Sequence, residues 1–68
     1  MTYNIRLLNV KALSLGDWHE DGDIVQMNTE PNGFGYYMFT DGLGYLYKRE
    51  VEERKYWEFA KRPTVGGI

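Results

Sequence analysis

The sequence predicts a mainly β domain: a small five-stranded antiparallel sheet, or a bent barrel built from five such strands. Three observations carry that prediction. Turn-forming residues recur at short intervals, at Gly16-Asp17, Asp21-Gly22-Asp23, Glu30-Pro31-Asn32-Gly33, Asp41-Gly42-Leu43-Gly44, Pro63 and Gly66-Gly67. The segments between them are short and rich in aromatic and β-branched residues. Aromatic residues make up 16% of the 68 positions and cysteine is absent, so stability has to come from packed rings rather than disulfides. Residues 1–68 read as one small β domain.

The first segment spans about 2–13. Tyr3, Ile5 and Leu7 share one strand face, and Leu8, Val10 and Ala12 continue the apolar set in the opposite phase. A one-residue shift of this kind is what a bulge or sharp bend produces. The second strand covers about 23–28, with Ile24, Val25 and Met27. The third covers 34–40. The fourth covers 43–49 and puts Tyr45 and Tyr47 on one face and Leu46 on the other. Asp41-Gly42-Leu43-Gly44 is short enough to join the last two as a hairpin, because Asp-Gly favours the left-handed conformations such turns need.

Residues 48–61 admit two readings. As a helix they place opposite charges four apart: Arg49 with Glu53, Glu50 with Arg54, Arg54 with Glu58. Pro63 would end it. Its apolar residues do not gather on one side, since Val51 falls away from Tyr56, Phe59 and Ala60. As a hairpin the segment turns at 52–55 and returns with Lys55, Trp57 and Phe59 on one face. The strand preference of Tyr56, Trp57 and Phe59 favours the hairpin; an antiparallel sheet with one C-terminal helix at about 48–61 is the alternative. The loop Leu13-Ser14-Leu15-Gly16-Asp17, feeding Gly22-Asp23-Ile24-Val25, resembles the long loops of SH3-like and OB-like barrels. That resemblance implies a fold and no function.

The densest feature is Asn32-Gly33-Phe34-Gly35-Tyr36-Tyr37-Met38-Phe39, with four aromatic residues and two glycines in eight positions. It reads as a strand carrying rings on both faces, with glycines that let a neighbouring strand or ring approach closely. Gly33-Phe34-Gly35-Tyr36 with Phe39 resembles the ribonucleoprotein motif of RNA-recognition and cold-shock domains, with Asn32 in the leading basic place and Tyr37 in the aliphatic place. That resemblance implies rings stacked on the bases of a single strand. The matching nucleic-acid set is Phe34, Tyr36, Tyr45 and Tyr47 for stacking and Lys48, Arg49 and Lys55 for phosphates. The bland alternative is that these rings are core.

Charge separates along the chain. Asp17, Glu20, Asp21, Asp23 and Glu30 lie in the first half, while Lys48, Arg49, Arg54, Lys55, Lys61 and Arg62 lie in the last third. The net charge of −2 and pI of about 5.2 argue against a nucleic-acid binder, which usually shows a basic face. Asp17-Trp18-His19-Glu20-Asp21-Gly22-Asp23-Ile24 echoes a calcium loop, but the twelfth place is Asn28, which supplies no bidentate carboxylate. The expectation is a solvated acidic loop without metal. With Trp18 beside charges, it has the composition of an interaction hot spot.

No nucleophile elbow, phosphate loop or metal-ligand spacing is present, and a single His leaves little for catalysis. The expectation is a non-enzymatic, cofactor-free protein-interaction module that docks on a larger protein and modulates or inhibits it. Compact acidic chains of this size include phage-encoded accessory proteins that inhibit host enzymes. Its binding residues would be Trp18, Glu20, Asp21 and Asp23 with Tyr36, Tyr45 and Tyr47. Single-strand binding and a structural role in a homo-oligomer, such as a homodimer, are the alternatives. Met1 to Arg6 lacks the basic start and apolar run of a signal peptide, and no apolar stretch approaches membrane length, so the expected location is cytoplasmic.

Overall fold

A computed structural model describes residues 1–60; Lys61, Arg62, Pro63, Gly66 and Gly67, invoked above as cations and turn signals, lie outside the described residues. Among the described residues five antiparallel strands form two small sheets, with one short helix. The strands are β1 (Thr2–Leu7), β2 (Ile24–Asn28), β3 (Tyr36–Met38), β4 (Tyr45–Tyr47) and β5 (Trp57–Phe59), and α1 (Lys48–Glu53) lies between β4 and β5. Three strands run in the order β2-β1-β5, and β3 pairs with β4. The two sheets meet at a bridge between Met27 and Phe39 and at the bond from the Thr40 N–H to the Gln26 carbonyl, 2.9 Å. Among the described residues the strands do not close into a barrel. Met27–Phe39 is an isolated bridge, and β4 stays paired to β3 alone.

Register assigns the faces of the larger sheet. Tyr3 lies opposite Met27, Ile5 lies between Val25 and Phe59, and Leu7 lies opposite Trp57. These residues share one face because antiparallel partners point the same way. Ile5, Leu7, Met27 and Trp57 are buried, and with Leu13, Phe39 and Leu46 they form the core. Tyr3 and Phe59 meet edge-on at its rim, 5.2 Å apart. The opposite face carries Asn4, Arg6, Gln26 and Glu58, with Arg6 paired to Glu58 at 2.6 Å. Both groups are well exposed, so the pair adds little stability.

Beyond Leu7 the change of phase is a strand end. The Leu8 and Asn9 N–H groups both reach the Tyr56 carbonyl, at 2.8 and 3.3 Å. The chain then coils, with the Leu13 N–H on the Asn9 carbonyl (3.2 Å) and the Leu15 N–H on the Val10 carbonyl (3.0 Å). Leu13 becomes core while Leu8 and Ala12 stay exposed. The hairpin forms as expected. Its turn is closed by bonds from the Phe39 N–H to the Gly44 carbonyl (2.9 Å) and from the Leu43 N–H to Asp41 Oδ1 (2.8 Å). Gly42 takes the positive φ of 74° that the turn demands.

Two expectations need correction. Residues 32–35 are a turn, so the third strand starts at Tyr36 rather than 34. Asn32 Oδ1 accepts from both the Phe34 and Tyr36 N–H groups, at 2.9 and 3.0 Å, a local Asx arrangement that outcompetes the ladder. Gly33 and Gly35 stand in open space, with no close neighbour where a side chain would sit.

The second correction concerns residues 48–61, which are neither one helix nor a hairpin. Glu50 Oε1 accepts from the Tyr47 N–H at 3.0 Å, which helps start α1. The helix runs only to Glu53, where Arg54 takes a left-handed conformation and donates its N–H to the Glu50 carbonyl. The return strand β5 then pairs with β1, fifty residues back, instead of with β4. Of the foreseen ion pairs only Arg49–Glu53 forms, at 3.8 Å, beside Lys48–Glu52 at 4.0 Å. Arg54 lies over the Phe59 ring and Glu58 binds Arg6.

Candidate functional site

Pairing in the β3–β4 hairpin sets Tyr36 opposite Tyr47, Tyr37 opposite Leu46 and Met38 opposite Tyr45. Alternation therefore gives one face to Tyr37 and Leu46, which turn inward, and the other to Tyr36, Met38, Tyr45 and Tyr47. Tyr36 and Tyr45 stack at 4.6 Å with 18° between their planes. Tyr47 stands edge-on to both, at 5.3 and 5.6 Å. Phe34, from the turn before β3, continues the stack 6.2 Å from Tyr36 and is 83% exposed. Four rings thus form one contiguous, outward-facing surface. The Tyr45 hydroxyl beside it holds the Tyr47 phenol above its ordinary 10.0, so that ring stays neutral at physiological pH.

A groove runs along this surface. Tyr45, Tyr47 and Leu43 form one wall and Leu13, Ser14, Leu15 and Gly16 the other, with Gly44 at its base, enclosing about 170 Å³. Across Leu15 and Gly16 lies a larger cavity of about 640 Å³, within the usual range of ligand sites. Lys11, Asp17, His19, Glu20 and Asp21 help line it. Trp18 stands beside Gly16 and is 71% exposed. The cavity lined by the acidic loop and the groove lined by Tyr45 and Tyr47 share Leu15 and Gly16 as bordering residues.

The individual acidic residues differ. Asp21 Oδ1 accepts from the Val10 N–H and Asp23 Oδ2 from the Glu20 N–H, both at 2.9 Å. Asp23 is committed to its own turn and lines neither cavity. Asp17 and Glu20 make no side-chain hydrogen bond or ion pair among the described residues. No group of three or more His, Cys, Asp or Glu in that range is placed to hold a metal ion. Of the nucleic-acid set, Lys48 and Arg49 follow Tyr47 directly, but both are paired to glutamates, and Lys55 lies over the Tyr56 ring.

Sequence reasoning missed the partnership of His19. The ring is 5% exposed, packs edge-on to Phe39 at 5.3 Å and meets Asp41 Oδ2 through Nε2 at 2.9 Å. Nothing local signals a contact spanning 22 positions. Burial raises the Asp41 carboxyl, but the Leu43 N–H and the His19 ring lower it further, and the net result is below the ordinary 3.8. A carboxyl depressed in the folded state contributes stability that is present above 3.8 and is lost as pH falls through the lower folded value. Urea midpoints measured from about pH 5 down to about pH 2 are expected to fall less steeply in Asp41→Asn than in wild type. Parallel curves would deny Asp41 this part.

No helix among the described residues is long and apolar enough to cross a membrane. No protein-family model, curated protein or solved structure matches this chain.

Proposed function

We propose that this protein is a protein-interaction module whose tyrosine face docks on a larger partner and modulates it by occupying its site. The observation that carries the reading is the contiguous set Phe34, Tyr36, Tyr45 and Tyr47, turned away from the core. Large contiguous apolar patches mark interaction sites. Tyrosine and tryptophan dominate interface hot spots because they bring much area at little entropic cost. The rings already brace one another, so little ordering remains to oppose binding. The acidic rim adds steering toward a basic surface.

The near-parallel Tyr36–Tyr45 stack also suits bases, which keeps single-strand binding as the second reading. Against it, α1 sets three carboxylates beside its two cations, a poor start for a phosphate track. The test uses Tyr36→Ala/Tyr45→Ala/Tyr47→Ala as bait against wild type. Each ring contributes only about 0.2–1 kcal/mol to the sheet, so the variant is expected to stay folded. Removing a hot-spot ring costs about 2 kcal/mol of binding, roughly 30-fold in Kd. A partner held by wild type should therefore be lost by the variant and weakened by Trp18→Ala. Equal capture by all three proteins would sink the reading. Salt-sensitive binding of a poly-pyrimidine strand, lost in the variant, would replace it with the nucleic-acid one.

A further inference from the structure

We propose that Asn32 is a self-modification site, where the backbone nitrogen of Gly33 closes on the Asn32 side-chain amide and converts the asparagine to aspartate or isoaspartate. The reaction needs no partner and is independent of the docking face. Sequence supplies the reactants. Asn32 is followed by Gly33, whose nitrogen has no side chain beside it to block its approach. Asn4, Asn9 and Asn28 each precede a β-branched residue, Ile5, Val10 and Thr29, which crowds that approach. Structure supplies the geometry. The Phe34 and Tyr36 N–H groups both donate to Asn32 Oδ1, at 2.9 and 3.0 Å. Only the amide oxygen can accept from N–H groups, so the orientation of the side chain is fixed. A bond from the N–H two residues on folds the side chain back along its own backbone, bringing Cγ toward the Gly33 nitrogen. Among the described residues neither the Gly33 N–H nor Asn32 Nδ2 makes a hydrogen bond, and both residues are exposed.

Paired N–H groups on one carbonyl oxygen are the arrangement of an oxyanion hole. As the Gly33 nitrogen loses its proton to solvent and adds to Cγ, Oδ1 takes up negative charge. Both bonds then become charge-assisted and stronger than in the ground state, which is what lowers a barrier. The Cγ–Nδ2 bond breaks, Nδ2 takes a proton from water and leaves as ammonia, and Oδ1 returns to a carbonyl in a cyclic imide. Water opens the imide at Cγ to give aspartate, or at the backbone carbonyl to give isoaspartate. Aspartate keeps an acceptor for both N–H groups and adds a charge beside Phe34. Isoaspartate adds a carbon to the backbone and displaces the Asn32 carbonyl, which accepts from the Gly35 N–H at 3.0 Å. Phe34 and Tyr36 then lose their fixed setting at the end of the aromatic stack.

The test incubates the full chain in neutral buffer and, at the same pH, in guanidinium chloride, and follows each asparagine by peptide mapping. Exchange of the amide for a carboxyl raises the mass of the Asn32 peptide, and labelling by an isoaspartyl methyltransferase marks the isoaspartate fraction. The native chain is expected to react at Asn32 at least about ten-fold faster than the unfolded one, a modest share of the roughly 10²–10³ that one oxyanion donor gives an enzyme. Asn4, Asn9 and Asn28 should stay intact. Gly33→Ala, which the open space at that position accommodates, should slow the native reaction several-fold with the urea midpoint unchanged. As product accumulates, the amide NMR signals of Phe34 and Tyr36 should move while that of buried Leu46 stays. An equal or slower reaction in the native chain would overturn the proposal, because the turn would then protect Asn32. Equal reaction at Asn9, a Gly33→Ala rate matching wild type, or unmoved Phe34 and Tyr36 signals in the product would overturn it as well.

Discussion

Trp57→Ala is expected to leave the protein largely unfolded at ambient temperature. Trp57 is 2% exposed and meets Phe59 edge-on at 5.0 Å. It lies opposite Leu7 in the register of β1 and β5. Its indole N–H donates to the Glu50 carbonyl at 2.9 Å, so the same ring ties the end of α1 to the larger sheet. Truncating a buried tryptophan costs about 3–5 kcal/mol. A chain of this length has a total stability of roughly 3–10 kcal/mol, and the loss is of that order. Trp57→Phe separates the two roles. It keeps most of the buried area and removes one of the two donors to the Glu50 carbonyl, which keeps the Arg54 N–H, at a cost of about 0.5–1.5 kcal/mol. Urea unfolding followed by circular dichroism should show no cooperative transition for the alanine variant and a lowered midpoint with unchanged slope for phenylalanine. A fully cooperative Trp57→Ala variant would mean that the smaller sheet carries more of the stability than its burial indicates.

Gly44→Ala is expected to cost about 1–3 kcal/mol, as overpacking does. A Cβ there would lie 2.9 Å from His19 Cε1, 3.0 Å from Phe39 Cδ2 and 3.1 Å from Leu15 Cδ2. None of the three neighbours is free to yield. His19 is tied to Asp41, Phe39 is core and its N–H is bonded to the Gly44 carbonyl, and Leu15 is packed against the core. For a domain of this size the loss corresponds to a fall in Tm of about 4–8 °C per kcal/mol. Gly33→Ala is the control. It has open space and no positive φ, so its Tm should barely move. Equal shifts for the two would show that the Gly44 neighbours relax freely.

Much of the hairpin was legible because its signals are local. Asp41-Gly42 marked its turn, and alternation put Tyr45 and Tyr47 opposite in sense to Leu46, as the structure has them. The start of β3 was hidden because Asn32 takes two backbone N–H groups with one side-chain oxygen, a choice that periodicity does not encode. Residues 48–61 resisted because each reading held half of the answer. Glu50 favours a first helical turn and the Trp57–Phe59 run favours a strand, but the partner of that strand lies at the other end of the chain. Glycine spacing at Gly33 and Gly35 suggested close approach; the close approach is at Gly44. In the candidate site the tyrosine face followed from alternation. Asp23 lines neither cavity, and its carboxylate accepts from the Glu20 N–H. The His19–Asp41 contact depends on folding the hairpin onto the acidic loop.

The most direct test of the docking face is a photo-crosslinking residue placed at Phe34, the most exposed ring of the ladder, in cells that express the protein. Ile24, exposed on the opposite face of the larger sheet, serves as control position. One discrete protein adduct from position 34, absent from position 24 and lost when Tyr45→Ala/Tyr47→Ala is added, is the result expected of a tyrosine face that binds a partner. Adducts only with nucleic acid or with a second copy, or the same adducts from both positions, would contradict it.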